Sequence, residues 1–333
     1  MNYVSEVEKR YDEVRNLVRS TADIREKIVL AKRDFGKRDT EIAGVSGKIA
    51  SEIRACIDIL LSAKRYRELR SLRKTKQGHR ALLLGNGPSC EMINWDSELF
   101  DDQGLDIAVV NFFQAPPDRL NHKVRMICVT DPLIFGKSGP GTGLPYLEEK
   151  QTRLTERIQK LEKPLLFCNR TVGRQLKGKH ELNVKPITFS DYSSSVFGGT
   201  NPLYPRSYMS MNIIKMITIL DFLGYDEILL CGADNDFIKK FFILPDNSIA
   251  TEQTYNNEKS ELDPLAMHPA QYYKVINKLE EAWHRVKDIR VINLDPLSLT
   301  TAFRKVRPNE RYYGLLKKEY QTRIRELSDT LSW

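Results

Sequence analysis

Ala81-Leu82-Leu83-Leu84-Gly85-Asn86-Gly87-Pro88-Ser89 is the stretch on which the reading of this chain turns. Four consecutive apolar residues suit a strand buried on both faces, and the glycines after them let the backbone turn tightly into a helix. Outward from it the same pattern recurs. Short β-rich apolar runs stand at 106–113, 126–130, 165–168, 227–231 and 290–294, and helical periodicity fills Ser207–Leu223 and Pro269–Val286. Strands apolar throughout, alternating with helices, specify an α/β, Rossmann-like, mostly parallel sheet covered on both faces. Ligands of such sheets bind beyond the carboxyl ends of the strands. The residues directly after each run are therefore the candidates for function.

Residues outside that pattern divide the chain. The sequence predicts a helical, basic appendage over 1–78, the Rossmann-like domain over 79–305 and a basic amphipathic helix over 306–333. Within the appendage, Val4, Val7, Tyr11, Val14 and Val18 recur at helical spacing, as do Ile49, Ile53, Ile57, Leu60 and Leu61. Two amphipathic helices follow, forming a hairpin that packs on a partner, on itself or on the next domain. Residues 1–80 hold 20 Lys and Arg against 12 Asp and Glu, so they carry the whole net charge of +8. Such a segment is a solvated face or is drawn to an anionic membrane surface. Nucleic acid is disfavoured, because no stacking pattern or binding motif accompanies the charge.

No signal peptide and no apolar run long enough to cross a bilayer is read in the sequence. The five cysteines show no two-residue spacing of zinc or redox motifs. Together these features suggest a cytoplasmic protein, peripheral where its basic segment meets an anionic membrane surface.

The turn Gly85, Asn86, Gly87, Pro88, Ser89 brings backbone close to a ligand, and free amides at a helix start favour phosphate; a plain strand-to-helix connection uses the same glycines. The full dinucleotide fingerprint is missing, which argues against a nicotinamide enzyme. Gly136-Lys137-Ser138 imitates the end of a Walker A loop, but Asp131 stands where that motif needs glycine. Asn111 and Asp131 follow the next two strands and share a sheet edge with Asn86, the pattern of a polar small-molecule cleft. Asp234-Asn235-Asp236 follows the 227–231 strand, where Asp234 and Asp236 can hold a hard cation or simply shape a turn. His268 precedes Pro269 at the start of a helix. There the helix dipole keeps the imidazole neutral and able to accept a proton.

On the glycine turn, Asn111, the passage Leu223-Gly224-Tyr225-Asp226-Glu227-Ile228 into Cys231-Gly232-Ala233-Asp234, and His268, residues 80–303 resemble the bacterial CMP-sialic-acid-dependent sialyltransferases of glycosyltransferase family 42. Asp295-Pro296-Leu297-Ser298-Leu299 is similar to that family's ending after its last core strand. The resemblance implies a single-domain GT-A-like variant of the Rossmann-like fold, a CMP-sugar donor, inversion at the anomeric carbon, and no required cofactor or metal. Asn86 and Asn111 are then nucleotide-binding residues, beside Gly85, Gly87, Ser89, Asp131 and Asp234. Arg206, Ser207 and Ser210 match the segment that meets the donor carboxylate and phosphate, and His268 the base that deprotonates the acceptor hydroxyl.

Two departures widen the donor class. Asp131 replaces an expected asparagine, and the family's phosphate-stabilising tyrosine pair has no match in 236–242, leaving Lys239, Lys240 or Tyr255 as electrostatic substitutes. Kdo thus joins sialic acid as the acidic sugar, with a glycan or lipid-linked glycan of bacterial surface polysaccharide or lipooligosaccharide as acceptor. Self-association is compatible with the helical appendage. The competing readings are a non-catalytic nucleotide-binding scaffold and a related enzyme of pterin diphosphate transfer or flagellin glycosylation.

Overall fold

The computed structural model describes residues 45–331 apart from 112, 114, 132–144, 177–181, 183, 195–198, 207–210, 235–240, 244–248, 253–261, 264–279, 297, 299 and 309. Two helices, α1 (Val45–Arg65) and α2 (Arg67–Ser71), lead into the sheet. Its strands are β1 (Arg80–Leu84), β2 (Leu105–Val110), β3 (Val124–Val129), β4 (Leu165–Cys168), β5 (Pro186–Thr188), β6 (Glu227–Cys231), β10 (Val291–Asn293) and β11 (Arg304–Lys305). Between them run α3 (Pro145–Gln159), α4 (Arg170–Leu176) and α5 (Asn212–Leu223), and α6 (Lys318–Leu331) closes the chain. Three short strands, β7 (Phe241–Ile243), β8 (Ile249–Glu252) and β9 (Leu262–Asp263), form a separate antiparallel sheet.

All eight strands of the main sheet pair in parallel, in the order β11-β10-β6-β1-β2-β3-β4-β5. The chain steps outward from β1 to β5, then returns through α5 to β6 on the other side of β1. The order reverses between β1 and β6, which makes their carboxyl ends the topological switch point.

Alternation along each strand supplies two cores. Leu82, Leu84, Ile107, Val109, Ile127 and Val129 face one side, where Leu154 and Ile158 of α3, Val172 of α4 and Ile324 of α6 pack. Ala81, Leu83, Ala108, Val110, Met126 and Cys128 face the other, against α5, Leu69 of α2 and Trp283. Period-2 side chains with no exposed strand face are what a doubly covered sheet requires. Tyr313, Leu315 and Leu316, beyond residue 305, belong to the first core. The C-terminal segment therefore covers the sheet.

Two local readings shift. The helix expected after the glycine turn is a five-residue 3-10 helix, Pro88–Met92, because Ile93 turns extended to bridge Leu316. The run 106–113 stops as a strand at Val110, because Asn111 adopts a left-handed backbone, φ 47°.

Candidate functional site at the carboxyl edge of the sheet

At the switch point the chain is held main chain to main chain. The Gly85 amide donates to the Cys231 carbonyl at 2.8 Å and the Gly87 amide to the Gly232 carbonyl at 3.0 Å. Ser89 Oγ accepts from the Gly232 amide at 2.9 Å. Gly232 itself is left-handed, φ 75°. A Cβ on Gly85 would collide with the Gly232 carbonyl, and one on Gly87 with the Asp234 carboxylate. Glycine is required here by the approach of the two turns.

The carboxylate of Asp234 reaches over this strap and accepts from the Ser89 amide at 3.1 Å. The amide expected to meet a ligand phosphate thus holds an internal anion. Asn86 leaves its Oδ1 buried with no hydrogen-bond partner among the described residues. A buried acceptor without a donor costs free energy, so Asn86 Oδ1 is left to pair with a ligand donor or a water.

Behind Asp234, Ser298 Oγ donates to the Ala233 carbonyl at 2.7 Å. Lys305 Nζ donates to the carbonyls of Ser298 and Thr300 at 2.9 and 3.0 Å. Burial lowers the Lys305 pKa to about 8, against the opposing pull of Asp295, Glu280 and Asp234.

Beyond β2 to β5 the edge is built from side chains instead. Asn111 Oδ1 accepts from Asn212 Nδ2 at the start of α5, and Asn212 Oδ1 accepts from Thr130 Oγ1. Lys215, one turn further along α5, donates to Thr130 Oγ1 at 3.2 Å and pairs with Asp191 at 2.7 Å. Asn169, directly after β4, donates to the Thr130 carbonyl at 2.7 Å and to Asp191 at 3.1 Å. Lys215 and Thr130 are almost wholly buried. A buried cation persists there because each of its neighbours accepts a hydrogen bond or carries the opposite charge.

Arg206 lies deeper than a ligand contact. It donates to the Ser190 carbonyl at 3.0 Å and to Thr218, stacks over Phe189, and is 3% exposed. Burial lowers its pKa to about 10, with Asp191 opposing. Its place in the fold is to tie the loop after β5 to α5.

Ser207, Ser210, Asp236, Lys239, Lys240, Tyr255 and His268 lie outside the described residues. Among the described residues no group of three or more His, Cys, Asp or Glu side chains could hold a metal ion.

No family model matches the chain, and no curated protein does. Among solved structures the chain is similar to the sialyltransferase CstII from Campylobacter jejuni in complex with the substrate analogue CMP-3FNeuAc. Identity is 14% over 69% of this chain and 87% of that one, with a TM-score of 0.36. The complex of the same enzyme with cytidine-5'-monophosphate matches at 16% identity over 73% and 88%, with a TM-score of 0.31. The eight-stranded parallel sheet itself defines the fold.

The edge brings Gly85, Asn86, Gly87, Ser89 and Asp234 together at one point, and sets Asn111 in a second group. Thr130, Asn169, Asp191, Asn212 and Lys215 complete that second group and were not singled out in the sequence. Asn169 carried the same signal as Asn111, a carboxamide directly after an apolar run. Asn212 and Lys215, three apart in a helix otherwise rich in Ile, Leu and Phe, were a second legible signal. Asp191 had none, since β5 is only three residues long.

Proposed function

We propose that this chain is a glycosyltransferase that moves an acidic sugar, sialic acid or Kdo, from a CMP-activated donor to a glycan acceptor. The observation that carries this reading is the pair of asparagines beyond adjacent strands. Asn86 offers a buried acceptor without a donor, and Asn111 is held left-handed on the next strand. Asparagine tolerates that backbone better than most residues, and strained strand-end residues gather at ligand sites. Open α/β sheets bind nucleotides in this crevice.

The sequence resemblance supports CMP as the nucleotide and His268 as the base that takes the acceptor proton, with inversion. An acceptor held at an anionic membrane surface fits the outer side of α1. Ile53 and Leu60 are exposed there, and exposed Lys64, Arg67 and Arg70 follow. Among the described residues no helix is long and apolar enough to cross a membrane.

A thermal-shift panel of CMP, CDP, UDP and GDP tests the donor. A ligand bound only by the native state at a hundred times its Kd adds about 2.7 kcal/mol of stability. CMP is expected to raise the melting temperature most, and Asn111→Ala to reduce that rise. Equal stabilisation by all four nucleotides, or none by CMP, contradicts the reading.

A further inference from the structure

The second polar group has a direction. Lys215 carries an ammonium, which donates hydrogen bonds and accepts none. Its contact with Thr130 Oγ1 makes that oxygen an acceptor, and the Thr130 proton then needs an acceptor of its own. Asn212 Oδ1 is the acceptor in place. Turning the Asn212 carboxamide over would set Nδ2 against Thr130 and leave a buried hydroxyl proton unmatched, at the cost of an unsatisfied donor. With Oδ1 committed to Thr130, Asn212 Nδ2 points at Asn111 Oδ1 and donates to it. The Asn111 oxygen is thereby used inside the protein. Its Nδ2 has no partner among the described residues, and the residue is only half buried.

We infer that Lys215, acting through Thr130 and Asn212, fixes which end of the Asn111 carboxamide meets the ligand, so that the cleft offers a donor and selects a base edge with an unprotonated acceptor. Cytosine presents such an edge at its ring N3, next to the O2 carbonyl. Uracil carries a proton at N3, so a donor seated there meets a donor and is left with a flanking carbonyl alone. Asn212 and Thr130 are thus positioning residues for base specificity, and Asn111 is the residue that reads. The inference rests on the CMP reading above and adds the physical origin of a preference for CMP over UMP. An independent feature agrees with a fixed Asn111: its amide donates to the Cys128 carbonyl at 3.0 Å while its φ is positive, so the backbone beneath the carboxamide is anchored too.

The test is the ratio of CMP to UMP affinity, measured by calorimetry on the full chain. In Asn212→Asp the new carboxylate accepts from both Thr130 and Asn111, so Asn111 must turn its Nδ2 inward and present Oδ1 to the ligand. Wild type is expected to favour CMP by about tenfold or more, the scale of one unmatched buried donor. Asn212→Asp is expected to erase that preference or reverse it toward UMP. Thr130→Val, which removes the proton that orients Asn212, is expected to bring the ratio close to one, and it carries the test if Asn212→Asp melts before ligand is added. A ratio that keeps its wild-type value in the folded variants overturns the inference and leaves the nucleotide site standing. Failure of wild type to bind either nucleotide overturns the site and the inference together.

Discussion

The two halves of the carboxyl edge are built on opposite plans. At β1 and β6 the turns are strapped backbone to backbone, with glycines where a side chain would collide and with Asp234 closing the Ser89 amide. At β2 to β5 the main chains meet only as the strands end, Asn111 to Cys128 and Phe189 to Cys168, and beyond them a largely buried side-chain network of Thr130, Asn169, Asp191, Asn212 and Lys215 spans the edge. The first plan fixes the shape of the crevice and tolerates almost no substitution. The second fixes polarity, and it can be retuned one side chain at a time. Under the proposed function, the first would hold the phosphate and the second would read the base.

The largest effect should come from breaking the side-chain half at its charge. Lys215→Met takes the paired cation from Asp191, a carboxylate 12% exposed, and removing one partner of a buried pair costs about 3–5 kcal/mol, the lower end applying to this partly solvated one. Urea denaturation is expected to show that loss. A change below 1 kcal/mol would mean that Asp191 finds another partner or takes up a proton.

Gly85→Ala tests the backbone half. Its Cβ has nowhere to go but the Gly232 carbonyl, and forced backbone shifts of this kind cost about 1–3 kcal/mol. The same denaturation series should rank it below Lys215→Met. If Gly85→Ala is neutral, the two turns are looser than the main-chain hydrogen bonds describe.

Acid–base behaviour separates the halves with a smaller effect. Lys305 sits behind the strap with its pKa lowered to about 8, below the ordinary lysine value of 10.5. The unfolded chain therefore binds more protons at this position, and its contribution to stability rises as pH climbs from about 8 toward 10.5. Denaturation midpoints at pH 7 and pH 9 should show a rise attributable to Lys305 in wild type. That component should vanish in Lys305→Met; an identical pH response in both proteins contradicts the assignment.

How much of this was legible in the sequence follows the same division. The sheet was readable because its strands are apolar throughout, and Ala81–Leu84 into Gly85 announced both the first strand and the crevice. Glycine records a close approach in one letter, which is why the β1 turn stood out. Asn111 was found because it directly follows an apolar run, and Asn169 shows that the same rule had further reach. The network behind them was hidden for a physical reason. Asn212 and Lys215 meet Thr130 and Asp191 only after α5 crosses the sheet, and no spacing along the chain encodes that meeting.

The helix after Gly87 is only a five-residue 3-10 turn because Ile93 leaves it to pair with Leu316, more than two hundred residues away, a contact that no local pattern encodes. A basic amphipathic pattern such as that over 306–333 serves a membrane face and a domain-covering helix equally. The burial of Leu315, Leu316 and Ile324 in the sheet's first core assigns those residues to the fold.

The most direct test of the central claim is CMP release from CMP-sialic acid and CMP-Kdo, with a glycan acceptor present, by wild type and by His268→Ala. The account predicts turnover of one of these donors by wild type. It predicts a loss of about a hundred- to ten-thousand-fold in the variant, the usual contribution of a positioned base, with CMP affinity nearly unchanged because the base acts on the acceptor side. Folded wild-type protein that releases CMP from neither donor would contradict it and leave a nucleotide-binding scaffold without catalysis.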